Sequence, residues 1–220
     1  MDFYKAQRSA WDRDYKVRGA LWQGPVFFEF PFTEHMRVLE LGCGNGKTFA
    51  ALLRMRCRVT AIDFSPNAVE ICKQVAKDSS VSGNKAGGSA IVQVADVLSL
   101  PFQDGSFDAV VAFHILGHLL EKAMKRAASE IHRVLVPGGK VYAQVFSTND
   151  MRIGKGQEVE KGTFMRGTGV ACHYFTEEEL NNLFESAGFA KISSQRLQQK
   201  KKYEGKEMIR EKLTSIYEKK

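Results

Sequence analysis

Residues 37–47 read Arg-Val-Leu-Glu-Leu-Gly-Cys-Gly-Asn-Gly-Lys (RVLELGCGNGK), and this stretch decides the fold. Arg37–Leu41 is a short apolar run suited to one buried strand, and glycines follow it at 42, 44 and 46. Thr48–Met55 then supplies good helix formers. A strand passing through glycines into a helix brings backbone amides and a helix N-terminus close to whatever binds there. The spacing is not a dinucleotide fingerprint, because G-x-G-x-x-G would need glycine where the chain has Lys47. The longer spacing of a phosphate-cradling P-loop is absent too.

The same alternation continues outward. Arg58–Asp63 (RVTAID) is a β-branched run, and Ser65-Pro66 reads as an N-cap followed by proline at the first helical position. That helix is expected to run to about Lys77, with Val69, Ile71, Cys72, Val75 and Ala76 on its apolar face, and Ser79–Ser89 to form a loop. Ala90–Ala95 and Asp108–Phe113 are further strands, Glu121–Val134 a helix, and Pro137-Gly-Gly a turn into a strand over Lys140–Phe146. Buried-looking strands alternating with helices predict a doubly wound, mostly parallel sheet with helices on both faces, whose ligands bind beyond the carboxyl ends of the strands. Thr176-Glu-Glu-Glu opens a helix to about Ala187, followed by a strand over Phe189–Leu197. Leu213–Tyr217 fits a closing strand, although Ile209, Leu213 and Ile216 also fit a helical stripe. The glycine-rich stretch Ser147–Cys172 carries little periodicity and reads as a lid.

Two acids stand at strand ends. Asp63 lies 21 positions beyond Gly42, where a carboxylate can accept hydrogen bonds from both hydroxyls of a ribose. Asp96-Val97 closes the third strand, where a carboxylate can take an adenine amino group while the valine packs on the ring. Alone, Asp63 reads equally well as the first residue of a turn, and Asp96 reads better as a cap or turn residue; three anchors at three successive strand ends favour a nucleoside ligand.

Together the stretches VLELGCGNG, VTAIDFSP, ADVLSLPFQDGSFDAVVAFHIL, EIHRVLVPGGKVY and HYFTEEELNNLFESAGF resemble, in order and spacing, the motifs of the class I S-adenosylmethionine-dependent methyltransferases. The resemblance covers most of the chain. It implies an α/β, Rossmann-like sheet of seven strands with an antiparallel last strand, which supports Leu213–Tyr217 as that strand. It implies S-adenosylmethionine as cofactor, with Glu40, Gly42, Cys43 and Gly44 bordering its methionine part. Asp63 would hold the ribose with Phe64 beside the adenine, Asp96 and Val97 the adenine, and Ala112 or Phe113 would line the pocket near the sulfonium.

Methyl transfer from a sulfonium mainly requires positioning and exclusion of water, so no catalytic triad is expected. His114 and His118 follow the fourth strand. His114 is the candidate catalytic residue, whereas His118 reads as a helix-start residue satisfied by backbone. His173-Tyr174 is a further pair that can face the pocket. Tyr4, Trp11 and Tyr15 form an amphipathic N-terminal segment suited either to capping the cofactor or to packing on the sheet, and Trp22 is expected near the cofactor's carboxylate end.

The chain has 220 residues, 44% hydrophobic and 26% charged, which excludes a disordered or fibrous protein and suits one domain over 1–220 with a cap over 1–34 and a lid over 147–175. Its longest apolar run, Ala109–Leu120, is interrupted by two histidines and too short to span a bilayer. Four isolated cysteines without metal-like spacing suit reduced thiols, so no metal is expected and the chain reads as soluble and cytoplasmic. The net charge is +7, and nine Lys/Arg against four Glu fall between Arg196 and Lys220. A solvated basic segment is the favoured reading of that cluster, and a small molecule the favoured acceptor. The alternatives are a tRNA or protein acceptor using the basic segment, and a non-catalytic cofactor-binding protein.

Overall fold

The computed structural model describes residues 3–19, 26, 28–81, 89–203 and 205–220. A seven-stranded sheet carries the architecture, in the order β3-β2-β1-β4-β5-β10-β9. Its strands are β1 (Arg37–Leu41), β2 (Arg58–Asp63), β3 (Ala90–Val94), β4 (Phe107–Phe113), β5 (Leu135–Phe146), β9 (Phe189–Tyr203) and β10 (Lys206–Lys219). β1 to β5 pair in parallel, and β10 runs antiparallel to both of its neighbours. The strand order reverses beside β1, and the glycine loop leaves the sheet there.

Alternate side chains of β1 divide the core. Leu39 and Leu41 face a cluster closed by α4 (Glu121–Val134) and α5 (Glu177–Ser186), with Ile131, Leu180 and Phe184 fully buried. Val38 faces the other layer, where Phe49 and Leu52 of α2 (Lys47–Leu53) and Cys72 of α3 (Pro66–Val81) pack with Phe30 and Phe32. At roughly 25 cal/mol per Å² of apolar surface, these two layers supply most of the drive to fold. Local signals set the helix starts. Ser65 Oγ accepts the Ala68 amide at 3.1 Å, and Thr176 forms a reciprocal capping box with Glu179.

Several expectations are corrected. α3 continues to Val81, four residues past Lys77, because nothing between them breaks a helix; the remainder of the expected loop, 82–88, lies outside the described residues. The stretch read as an irregular lid contains a three-stranded antiparallel sheet: β6 (Gln157–Glu160), β7 (Thr163–Met165) and β8 (Ala171–His173). Its glycines serve the turns; Gly162 and Gly169 have φ of 74° and 82°. β9 and β10 form a hairpin of 15 and 14 residues, far longer than Phe189–Leu197 and Leu213–Tyr217. Among the described residues no helix is long and apolar enough to cross a membrane.

Candidate active site

The loop after β1 is built on left-handed glycines: φ is 71° at Gly42, 53° at Gly44 and 77° at Gly46. Side-chain-bearing residues adopt that conformation only at a cost. The Gly42 and Cys43 amides donate to the Ile62 carbonyl at 2.8 and 2.9 Å, fastening the loop to the end of β2. Asp63 completes the fastening. Its Oδ2 accepts the Gly44 amide at 3.0 Å and its Oδ1 the Ser65 amide at 2.9 Å, so it is a clamp as well as a strand-end acid. Burial pushes its pKa up to about 6 against the downward pull of those amides. Below it Glu40 is buried, and burial followed by the Asp63 charge holds its carboxyl well above the ordinary range. Glu40 Oε2 has no hydrogen-bond partner among the described residues.

These residues border a cavity of about 1120 Å³. Glu40, Gly42, Cys43, Gly44 and Asp63 line its floor, with Phe64, Asp96 and Val97 at one end and Phe113 and His114 at the other. Asp96 Oδ1 accepts the Leu98 amide at 2.8 Å, the turn role also open to it from sequence. Ala112, the other candidate for the sulfonium region, is fully buried in the α4–α5 core cluster, because neighbours on a strand face opposite ways. Cys43 and Cys72 share a thiol hydrogen bond that, with burial, raises the Cys43 pKa.

Helix α1 (Phe3–Arg18) lies across the cavity. Trp11 and Tyr15 are buried and stacked at 5.9 Å. Asp12 anchors the helix by accepting the Ser65 hydroxyl at 2.6 Å and the Asn67 amide at 3.2 Å. Gln7 ties it to the β8 side, donating to the Gly169 carbonyl at 2.8 Å and accepting the Ala171 amide at 3.1 Å. Trp11 and Tyr15 pack against Ala68 of α3 and against Val170 rather than on the sheet, and both line the cavity. Trp22 lies outside the described residues.

The histidines separate by environment. His114 takes a left-handed φ of 66°, and its ring stacks on Phe146 at 4.4 Å. Its Nδ1 is enclosed and has no hydrogen-bond partner among the described residues. Burial, then the charge of Lys212, holds its pKa well below the ordinary value, so the ring is neutral. His118 Nδ1 donates to the Ala171 carbonyl at 2.7 Å, the backbone satisfaction expected of it, and burial lowers its pKa to about 4. His173 does not face the cavity: its ring nitrogens meet Thr163 at 2.7 Å and Glu179 at 2.9 Å. Tyr174 is buried, with its hydroxyl accepting from Arg166 at 2.6 Å.

Sequence reasoning missed a basic group on the cavity wall: Arg152, Arg166, Arg210 and Lys212. Asp150, fully buried, holds Arg152 Nε at 3.0 Å and Arg210 Nε at 2.7 Å. The only hint was parity, since Arg210 and Lys212 fall on one face of a strand. Beyond the arginines a second cleft of about 510 Å³ is lined by Lys155, Lys201, Lys202 and Tyr203.

A profile of the methyltransferase domain family matches residues 39–143. The chain is 30% identical to the human tRNA N(3)-cytidine methyltransferase METTL2B over 174 residues, which is 76% of this chain and 45% of that protein. It is 28% identical to O-methyltransferase 3 of Dictyostelium discoideum over 196 residues, 84% of this chain and 42% of that one. The chain therefore spans less than half the length of these curated relatives. A solved S-adenosylmethionine-dependent methyltransferase from Methanosarcina mazei superposes with a TM-score of 0.72 at 27% identity, covering 87% of this chain and 98% of that one.

Proposed function

We propose that the chain is a class I S-adenosylmethionine-dependent methyltransferase and that it methylates a base of tRNA. The observation carrying this reading is the second cleft: the cavity continues into a surface lined by Lys155, Lys201 and Lys202 with the half-exposed ring of Tyr203. Cations beside an aromatic ring suit a phosphodiester strand with unstacked bases. The small-molecule acceptor favoured from sequence yields to this, since the relatives that match include tRNA cytidine methyltransferases.

The residues present fit the cofactor. Glu40 Oε2 is a buried acceptor without a partner among the described residues, and the Asp63 carboxylate, beyond the backbone amides it accepts, keeps acceptor capacity for a ribose hydroxyl. A cavity of about 1120 Å³ exceeds the usual ~300–1000 Å³ of a small-molecule site, leaving room for a base beside the cofactor. S-adenosylmethionine, when bound, supplies an electrophilic methyl group on a sulfonium centre. The protein's part is geometric. Glu40, Gly42 and Gly44 would hold the methionine end and Asp63, Phe64, Asp96 and Val97 the nucleoside. α1 covers the site and excludes water, and Phe113 and His114 border the acceptor side. A ring nitrogen such as cytidine N3 attacks through a free lone pair and has no proton to lose, so a neutral His114 suffices as an orienting hydrogen-bond partner.

The test is methyl incorporation into bulk tRNA, with calorimetric titration of S-adenosylhomocysteine and NAD in parallel. Wild-type protein is expected to bind S-adenosylhomocysteine and label tRNA. Reversing Lys200, Lys201 and Lys202 to Glu should abolish labelling, flatten the salt dependence of tRNA binding and spare S-adenosylhomocysteine affinity. Cofactor binding without tRNA labelling would overturn the acceptor; NAD binding alone would overturn the cofactor.

A further inference from the structure

Arg152, Arg166 and Arg210 line both the inner cavity and the outer cleft, so they stand where the two meet. Three guanidiniums face one carboxylate there. Asp150 takes Arg152 and Arg210, while Arg166 Nη2 donates to the neutral Tyr174 hydroxyl at 2.6 Å. Two enclosed donors, Arg152 Nη2 and Arg166 Nε, have no hydrogen-bond partner among the described residues. Excess positive charge held in a half-buried wall with unspent N–H groups is costly unless an anion meets it. The guanidiniums are also held in place: Arg152 and Arg210 lie over the Phe146 ring at 4.0 and 4.8 Å from its centroid. His114 stacks on the same ring, so the cluster sits one aromatic ring from the acceptor side of the cavity.

We propose that Arg152, Arg166 and Arg210 form a phosphate-binding subsite that grips the target nucleotide's own phosphate at the junction, while its base enters the inner cavity. The source of that phosphate, a nucleotide within RNA, rests on the function proposed above. Planar guanidinium forks match phosphate oxygens in pairs, which fixes orientation as well as affinity. The outer lysines steer the strand at long range; the arginines set which nucleotide is in register. A purely structural role, in which the arginines only neutralise Asp150, gives no preference for a phosphorylated ligand.

The 220-residue chain, saturated with S-adenosylhomocysteine, is titrated calorimetrically with cytidine 5′-monophosphate, cytidine and inorganic phosphate. The monophosphate is expected to bind at least about tenfold more tightly than cytidine, with inorganic phosphate competing. Arg166→Gln and, separately, Arg152→Gln should erase that advantage at unchanged S-adenosylhomocysteine affinity, and Arg166→Lys covers the case in which Arg166→Gln fails to fold. Equal affinity for cytidine and its monophosphate, or an advantage that survives both glutamine variants, overturns the subsite. If the advantage is lost in the variants yet tRNA takes no methyl group, the subsite stands and the RNA reading falls.

Discussion

The hydroxyl of Tyr15 lies 2.6 Å from where a Cβ on Gly44 would stand. A roof helix and a floor loop thus touch through a contact that glycine alone permits, and cap and cofactor loop are one unit. Gly44 also holds a left-handed φ of 53°.

Gly44→Ala should therefore cost about 1–2 kcal/mol of stability for the backbone alone, and also push Tyr15 and α1 away from the loop. Chemical denaturation and S-adenosylhomocysteine titration read the two effects. Adding Tyr15→Phe should recover part of the affinity and none of the backbone cost.

Asp63 ties binding to pH. Its pKa of about 6 in the fold lies above the 3.8 of an exposed aspartate, so its contribution to stability is full below about 4 and is lost as pH rises through 6. Ribose hydroxyls donate to the ionised form, so cofactor binding runs the other way. S-adenosylhomocysteine affinity should fall as the solution is taken from about pH 7.5 to about 5, by up to about tenfold per unit below the pKa. Asp63→Asn should bind weakly at both pH values, with the slope gone.

Lys212 gives the opposite dependence. Burial, then the charges of Lys47, Arg210 and Arg152, pushes its pKa down to about 8 from 10.5. The folded protein then binds fewer protons here than the unfolded chain between those values, so this group adds stability as pH rises from 8 to 10.5 and loses it as pH falls through 8. Lys212→Met, which keeps an unbranched stem, should be more stable than wild type at pH 7 and should lack that increment when both are denatured across the window.

His114→Asn separates orientation from binding, since asparagine tolerates the left-handed backbone. Turnover should drop by about 10²-fold through misplacement of the acceptor while S-adenosylhomocysteine affinity holds. With the cofactor kept saturating, so that Asp63 does not enter, the wild-type rate should show no inflection near pH 6.5, because the His114 ring is already neutral there.

The central parallel strands were legible because burial on both faces demands continuous apolar runs, and β1, β2 and α4 fall on the residues expected. The floor of the site was legible for a related reason: Glu40 to Gly46 is a local signal, complete within seven positions. The hairpin was not. Its projecting half is exposed, so Gln198 to Tyr203 obeys no in-out alternation, and cross-strand backbone bonds set its length. Nor was the arginine cluster, whose members come from β10 and from a stretch whose strands run only three or four residues, too short to show a periodic pattern. Only tertiary folding brings Arg152, Arg166 and Arg210 to one wall.

The sheet order sets a schedule for assembly. β10 lies between β5 and β9 yet follows both in the chain, so β9 has no partner in the sheet until a later segment slides in beside it. The glycine loop and its strands can form from contacts near in sequence, whereas Arg210 and Lys212 reach the wall only when that insertion is complete. A nascent chain paused before β10 would own the cofactor half of its cavity and lack the far wall, with the edge of β5 open to any strand that offers itself.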